Sequence, residues 1–258
     1  EGLNVPSGTD SIGARAFQFI NNIVYQGSAS GSPWGALAVN AYLEDSLFYS
    51  DNTKRKLLSC FGNITHVIVP PETDSLGPYA LNQNGTLRTV ELSEGLEYIG
   101  KLTFPSTSAV LLDVEIPKTV TCIDDMAFYS ANVRSVIIND APCSIGWSAF
   151  GYCNYLQHID LGDSVRTIAS AAFQCSRGLT EITIPESVTS IGDSLFCFSW
   201  NIEYATLPST LDTIKFSTFR GCWKLREITI PATTCHLEGL AFSECIKLWE
   251  IISLNPVP

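Results

Sequence analysis

Nine cysteines and three histidines are the side chains of this 258-residue chain best suited to nucleophilic or metal chemistry, and their spacing decides what is open to them. A zinc centre calls for ligands in close pairs such as CxxC or HxxxH. Neither pattern occurs, and the adjacent Cys235-His236 is the nearest approach to one. A cysteine nucleophile needs a histidine within hydrogen-bond reach. Cys153 and His158 are near in sequence, but the alternation of "LQHIDL" turns His158 outward while Cys153 falls in a buried periodic file, so the two diverge. No GxSxG elbow and no Walker or Rossmann glycine pattern is present. The reading is of a non-enzyme without metal or cofactor.

The bulk chemistry narrows the partners. A hydrophobic share of 45% against 16% charged residues is ample for a core. A net charge of -11 repels a phosphate backbone and argues against nucleic acid as a partner. The one basic cluster, Lys54-Arg55-Lys56, reads as an exposed hairpin tip. No apolar run reaches the ~20 residues needed to cross a bilayer. The chain starts without Met and without a charged-then-apolar leader, and it ends in "SLNPVP", as expected of a trimmed or excised piece.

What must position any site is a repeat. "IPESVTSIGDSLF" from Ile184 is followed 23 residues later by "LPSTLDTIKFSTF" from Leu207. Equivalent start residues are Val69, Leu92, Ile116, Ile138, Leu161, Ile184, Leu207 and Ile230, at steps of 22 to 24. Seven positions on, each unit has an apolar residue (Leu76 through Leu237), and twelve on it has Leu81 or a phenylalanine (Phe104 through Phe242). Val5-Pro6, with Ile12, Phe17 and Ile23, fits the same pattern. Such a period marks a solenoid, whose units bury their apolar edges only by stacking on neighbours. We expect one domain over 1–258, with a first repeat at 5–27, an insertion at 28–68 and regular repeats over 69–254. The insertion holds "SASGSPWGALAVN" and then a β-hairpin around Asp51-Asn52-Thr53, rejoining at "ITHVIVP". The cysteines follow the period, with Cys153, Cys222 and Cys245 at fifteen and Cys175 at fourteen after their starts. An odd count cannot all pair within one chain. A disulfide network stays open, but packing alone explains the file, which favours free buried thiols.

Before each start lies an LxxIxI stretch such as "LTEITI" or "LREITI", read as a short strand with its apolar side inward. Proline after several of these strands ends the pairing, and the "IGxxAF" part suits a tight or short helical turn. Parallel strands ~4.8 Å apart give a right-handed coil of about nine turns and ~40–45 Å. The outward positions form columns. Candidate binding residues on this strand face are Asp113, Glu115, His158, Asp160, Glu181, Glu203, Tyr204, Glu227, Trp249 and Glu250. They suit a basic protein segment anchored by the aromatics, although a merely solvated face explains the same charges. Trp249 and Tyr204 could instead stack on sugar rings, and a structural spacer is a third reading.

The stretches "IPESVTSIGDSLF", "AFGYCNYLQHIDL" and "TFRGCWKLREITI" resemble the BspA-like leucine-rich repeats of bacterial surface proteins, from Val5 to about Leu254. Common leucine-rich repeats carry Asn three residues after the last strand Leu; here stand Gly95, Thr119, Ser164, Ser187 and Thr210, as in the BspA-like class. The resemblance implies a leucine-rich-repeat solenoid that is secreted or surface-anchored, adhesive towards a host or neighbouring-cell protein and without enzymatic activity; nothing in the residues sets an oligomeric state, and a monomer is the default expectation.

Overall fold

The computed structural model describes residues 3–9, 11–18, 22–24, 38–39, 42–60, 62, 64–82, 85–104 and 111–254. The "SASGSPWG" part of the insertion and the last four residues lie outside them. The chain winds as a parallel β-solenoid with no helix among the described residues. Nine rungs line one face: His66–Val69, Thr89–Leu92, Leu111–Ile116, Val133–Ile138, His158–Asp160, Glu181–Thr183, Tyr204–Thr206, Glu227–Ile230 and Glu250–Ser253. They bound eight coils. LxxIxI alternation makes these strands. In Glu227–Ile230, Ile228 and Ile230 are buried while Glu227 and Thr229 face water.

A second, narrower ladder follows the turn after each rung. Its strands are two residues long, such as Cys122–Ile123, Ser144–Ile145 and Thr167–Ile168, in parallel register Cys122↔Ser144↔Thr167. The seventh residue of every unit but the last points inward here; Leu76, Ile99, Ile123, Ile145, Ile168, Ile191 and Ile214 are all buried, while Leu237 on the last coil is exposed. The hairpin around residues 51–53 is present, as Leu47–Tyr49 against Lys56–Cys60, and a second antiparallel strand, Tyr42–Glu44, extends it to a meander. Lys56–Cys60 already lies in this ladder, parallel to Ser75–Leu76, so the meander closes its N-terminal edge. Arg55 and Lys56 are exposed beside the hairpin turn, and Lys54 and Arg55 pair with Glu44 and Asp74.

The third side is a turn stacked on its own copies, where a short helix had been one expectation. In each coil the tenth residue is left-handed (Tyr79, Leu102, Met126, Ser148, Ala171, Ser194, Ser217, Leu240), and Arg15 holds the same place in the first repeat. The fourteenth is left-handed too at Ser130, Tyr152, Cys175, Phe198, Gly221 and Glu244. Such a conformation costs an L-residue roughly 1–2 kcal/mol. It is offset by what it permits: alternate N–H groups point along the solenoid axis and bond the next coil, as in Ser194 to Phe216, Phe196 to Thr218 and Phe198 to Arg220, at 2.7–2.8 Å. A helix would turn those donors back into its own coil.

The twelfth residue plugs each coil. Phe104, Phe128, Phe150, Phe173, Phe196, Phe219 and Phe242 form one file, each ring stacked on the next with centroids 3.9–5.7 Å apart. All but Phe242, on the last coil, are fully buried. The N-terminal coil is looser: Leu3–Asn4 pairs in parallel with Asn22–Val24, yet Ile12 and Phe17 are only half-buried.

Candidate binding face

Within each group of paired rungs the outward columns stand abreast because the parallel register is kept, with Asp113↔Ser135↔His158, Glu181↔Tyr204 and Glu227↔Glu250 as lateral neighbours. Of the ten residues singled out by the sequence, nine are exposed and Glu203 is half-buried. Two are neutralised. Arg134 donates to both oxygens of Asp113 at 3.0–3.1 Å, and Arg226 lies 3.0 Å from Glu203. Glu115, Asp160, Glu181, Glu227 and Glu250 have no ion-pair partner among the described residues. Glu227 and Glu250 stand directly opposite, an arrangement of like charges that a cation would relieve. Trp249 is 70% exposed and Tyr204 49%.

The rungs do not form one continuous sheet. Pairing is interrupted between Thr89–Leu92 and Leu111–Ile116, between His158–Asp160 and Glu181–Thr183, and again between Tyr204–Thr206 and Glu227–Ile230. A cavity opens at each of the last two interruptions. The first, about 280 Å³, is lined by His158, Asp160, Asp163, Glu181, Thr183 and Pro185 among others. The second, about 480 Å³, is walled by Leu207, Pro231, Ala232 and Leu254, with Glu227 and Thr229 at its side. Tyr204 borders both. The sequence reading did not find the cavity walls Asp163, Pro231, Ala232 and Leu254. One signal was legible: Ala205 stands where the other strands carry Val or Ile, and a smaller residue on an inward column leaves the rung less well supported.

A third cavity, about 390 Å³, lies where the meander overhangs the first rung, between Glu44, Asp45 and Lys54 on one side and His66 and Ile68 on the other. His66 is held by Thr89, 2.7 Å from its Nδ1, and faces Glu91 at 3.5 Å.

The cysteines serve the scaffold. No disulfide joins any of the nine. Cys153, Cys222 and Cys245 each donate Sγ–H to the carbonyl of the plug phenylalanine one coil back: Phe128, Phe196 and Phe219, at 2.9–3.2 Å. Ser176 and Ser199 occupy the same position and do the same to Phe150 and Phe173. The file is therefore one of donors, and not of small apolar fillers alone as the sequence suggested. Burial pushes the Cys153 thiol up to about 12 and holds Cys222 well above its ordinary value. Neither is a nucleophile near neutrality, and Cys153 is turned into the core while His158 faces solvent. Cys235 is exposed beside His236, but no three metal-ligating side chains converge among the described residues.

The sequence profile described as "BspA type Leucine rich repeat region" matches residues 49–134 and 121–249 in six copies. The chain is similar to the crystal structure of a leucine-rich repeat protein from Bacteroides ovatus, with 26% identity over 81% of this chain and a TM-score of 0.59. It spans 50% of that protein's length. It is also similar to the leucine-rich repeat protein of T. pallidum, with 25% identity over 55% of this chain and 72% of that one, at a TM-score of 0.50. No curated protein sequence matches it.

Proposed function

The chain belongs to the BspA-type leucine-rich repeat family, and from that premise we propose that it is a non-catalytic binding module, displayed outside the cell, that grips a protein partner with its strand face. The observation that carries this reading is the row Asp160, Glu181, Glu227 and Glu250, none of them in an ion pair among the described residues, set around the exposed Tyr204 and its two cavities. Carboxylates with no internal counter-charge steer a basic surface into place, and a half-exposed aromatic between cavities supplies contact area at low entropic cost. Trp249 extends the anchor surface to the last rung.

The test is surface plasmon resonance of the immobilised chain against a panel of basic extracellular-matrix proteins. The expected result is binding that weakens steeply between about 50 and 300 mM salt and is lost in the triple variant Glu181→Gln, Glu227→Gln, Glu250→Gln. Binding that ignores the triple variant sinks the reading. The exposure of Trp249 favours a second reading, glycan binding; a glycan-array signal abolished by Trp249→Ala would establish it in place of the first.

A further inference from the structure

The two cavities beside Tyr204 differ in chemistry and stand at a fixed separation, and together they describe a partner more closely than the strand face alone does. The first is lined by Asp160, Asp163 and Glu181 and by no lysine or arginine. The second is walled by leucine, proline and alanine, with Glu227 as its one carboxylate. A basic side chain complements the first and an apolar side chain the second. The two cavities sit at two of the three interruptions of the strand ladder, and these two are two rungs apart. At the ~4.8 Å spacing of parallel strands this places them roughly 9.6 Å apart along the solenoid axis.

That distance selects a backbone. A polyproline II segment advances about 3.1 Å per residue with three residues per turn, so residues i and i+3 share a face about 9.3 Å apart. In a β-strand the same-face neighbours i and i+2 are only about 6.7 Å apart, and i+3 points to the other side. A helix reaches about 10.5 Å only at i+7, and its ~10–12 Å girth would ride on the Tyr204 ring instead of seating two side chains beside it. The face also suits a ligand whose backbone bonds to no strand. Thr183 and Thr206 are register partners, and with Thr229 they offer a line of exposed hydroxyls along the solenoid axis. Between the cavities stands the exposed ring of Tyr204, a surface on which proline packs well.

Building on the strand-face reading, we propose that the partner presents a proline-rich segment in the polyproline II conformation, with a basic side chain lodged between Asp160 and Glu181 and an apolar side chain three residues away lodged between Tyr204 and Pro231. The two residues between them pass over the Tyr204 ring.

Fluorescence polarisation with blocked, labelled peptides tests this on the intact chain. The probes carry Arg and Leu separated by one, two or three prolines, in both orders, within a common proline flank. The two-proline spacing in one order is expected to bind at least about tenfold more tightly than the one- or three-proline spacings. Asp160→Asn with Glu181→Gln should remove most of that advantage, and so should Ala232→Lys, which fills the second cavity from an exposed position. Equal affinity for all spacings, no binding of any peptide, or preferential binding of a helical peptide with Arg and Leu seven residues apart would each overturn the proposal. The broader reading fails separately. If matrix-protein binding is lost in the triple glutamine variant while the peptides show no spacing preference, the strand face stands and the polyproline II partner falls.

Discussion

The phenylalanine file makes a quantitative demand on the fold. Phe219 is fully buried, with Phe196 stacked on one side at 5.3 Å and Phe242 on the other at 5.5 Å. Replacing it with alanine removes a whole ring from a closed space, which costs roughly 3–5 kcal/mol. Two stacking contacts go with it, each worth about 0.5–1.5 kcal/mol beyond area, so the value should fall in the upper part of that range. Phe242 provides the internal control. It has the same chemistry and the same place in its coil, but it is half-buried and stacked on one ring in the same file. Phe242→Ala should therefore cost roughly half as much. Because each coil touches only its neighbours, the Phe219 variant should also lose its C-terminal coils before the rest, broadening the transition and lowering its slope. Urea denaturation followed by circular dichroism reads all three quantities. A cost below about 1 kcal/mol for Phe219→Ala, or equal costs for the two variants, refutes the view that stacked rings close this core.

Other expectations follow from the thiols. Cys222→Ser keeps the donor to the Phe196 carbonyl, as Ser199 and Ser176 do naturally, and should change stability by less than about 0.5 kcal/mol; Cys222→Val keeps the bulk, loses the bond and should cost about 0.5–1.5 kcal/mol more. Raised thiols make the fold sensitive to alkali. Burial lifts Cys143 and Cys153 to about 12 and Cys245 to about 11, so the folded chain keeps protons that the unfolded chain releases from pH 9 upward. Their contribution is whole below pH 9 and falls as pH climbs towards those values, by at most about 1.4 kcal/mol per pH unit and thiol. The urea midpoint of Cys153→Ser should drop less than that of wild type between about pH 8.5 and 10.5; equal drops would count against the burial argument. Maleimide should label Cys235 in the folded chain and reach Cys143, Cys153 and Cys222 only in denaturant, which a mass shift on intact protein will show.

How far the sequence reached can be followed residue by residue. The start residues, the inward Ile at seven and the Phe at twelve were legible because stacking imposes a strict period on anything buried. The outward columns followed from the two-residue alternation of LxxIxI, which is why Glu181, Tyr204, Glu227 and Glu250 emerged on one face. The left-handed tenth and fourteenth residues were not legible. Tyr, Leu, Met, Ser, Ala and Phe all occupy them, and their backbone is fixed by hydrogen bonds to the next coil and not by their own preferences. The donor role of Cys222 was hidden for the same reason, since its acceptor is Phe196, 26 residues away.

The sequence by itself determined the coil, its period and the sign of charge on its strand face, because burial and alternation are properties of a chain read one residue at a time. Only the tertiary structure decided which carboxylates are quenched, Asp113 by Arg134 and Glu203 by Arg226, and where the strand ladder parts beside Tyr204. Ion pairing and cavity formation depend on separations of a few ångströms between neighbouring coils, which no order of residues states.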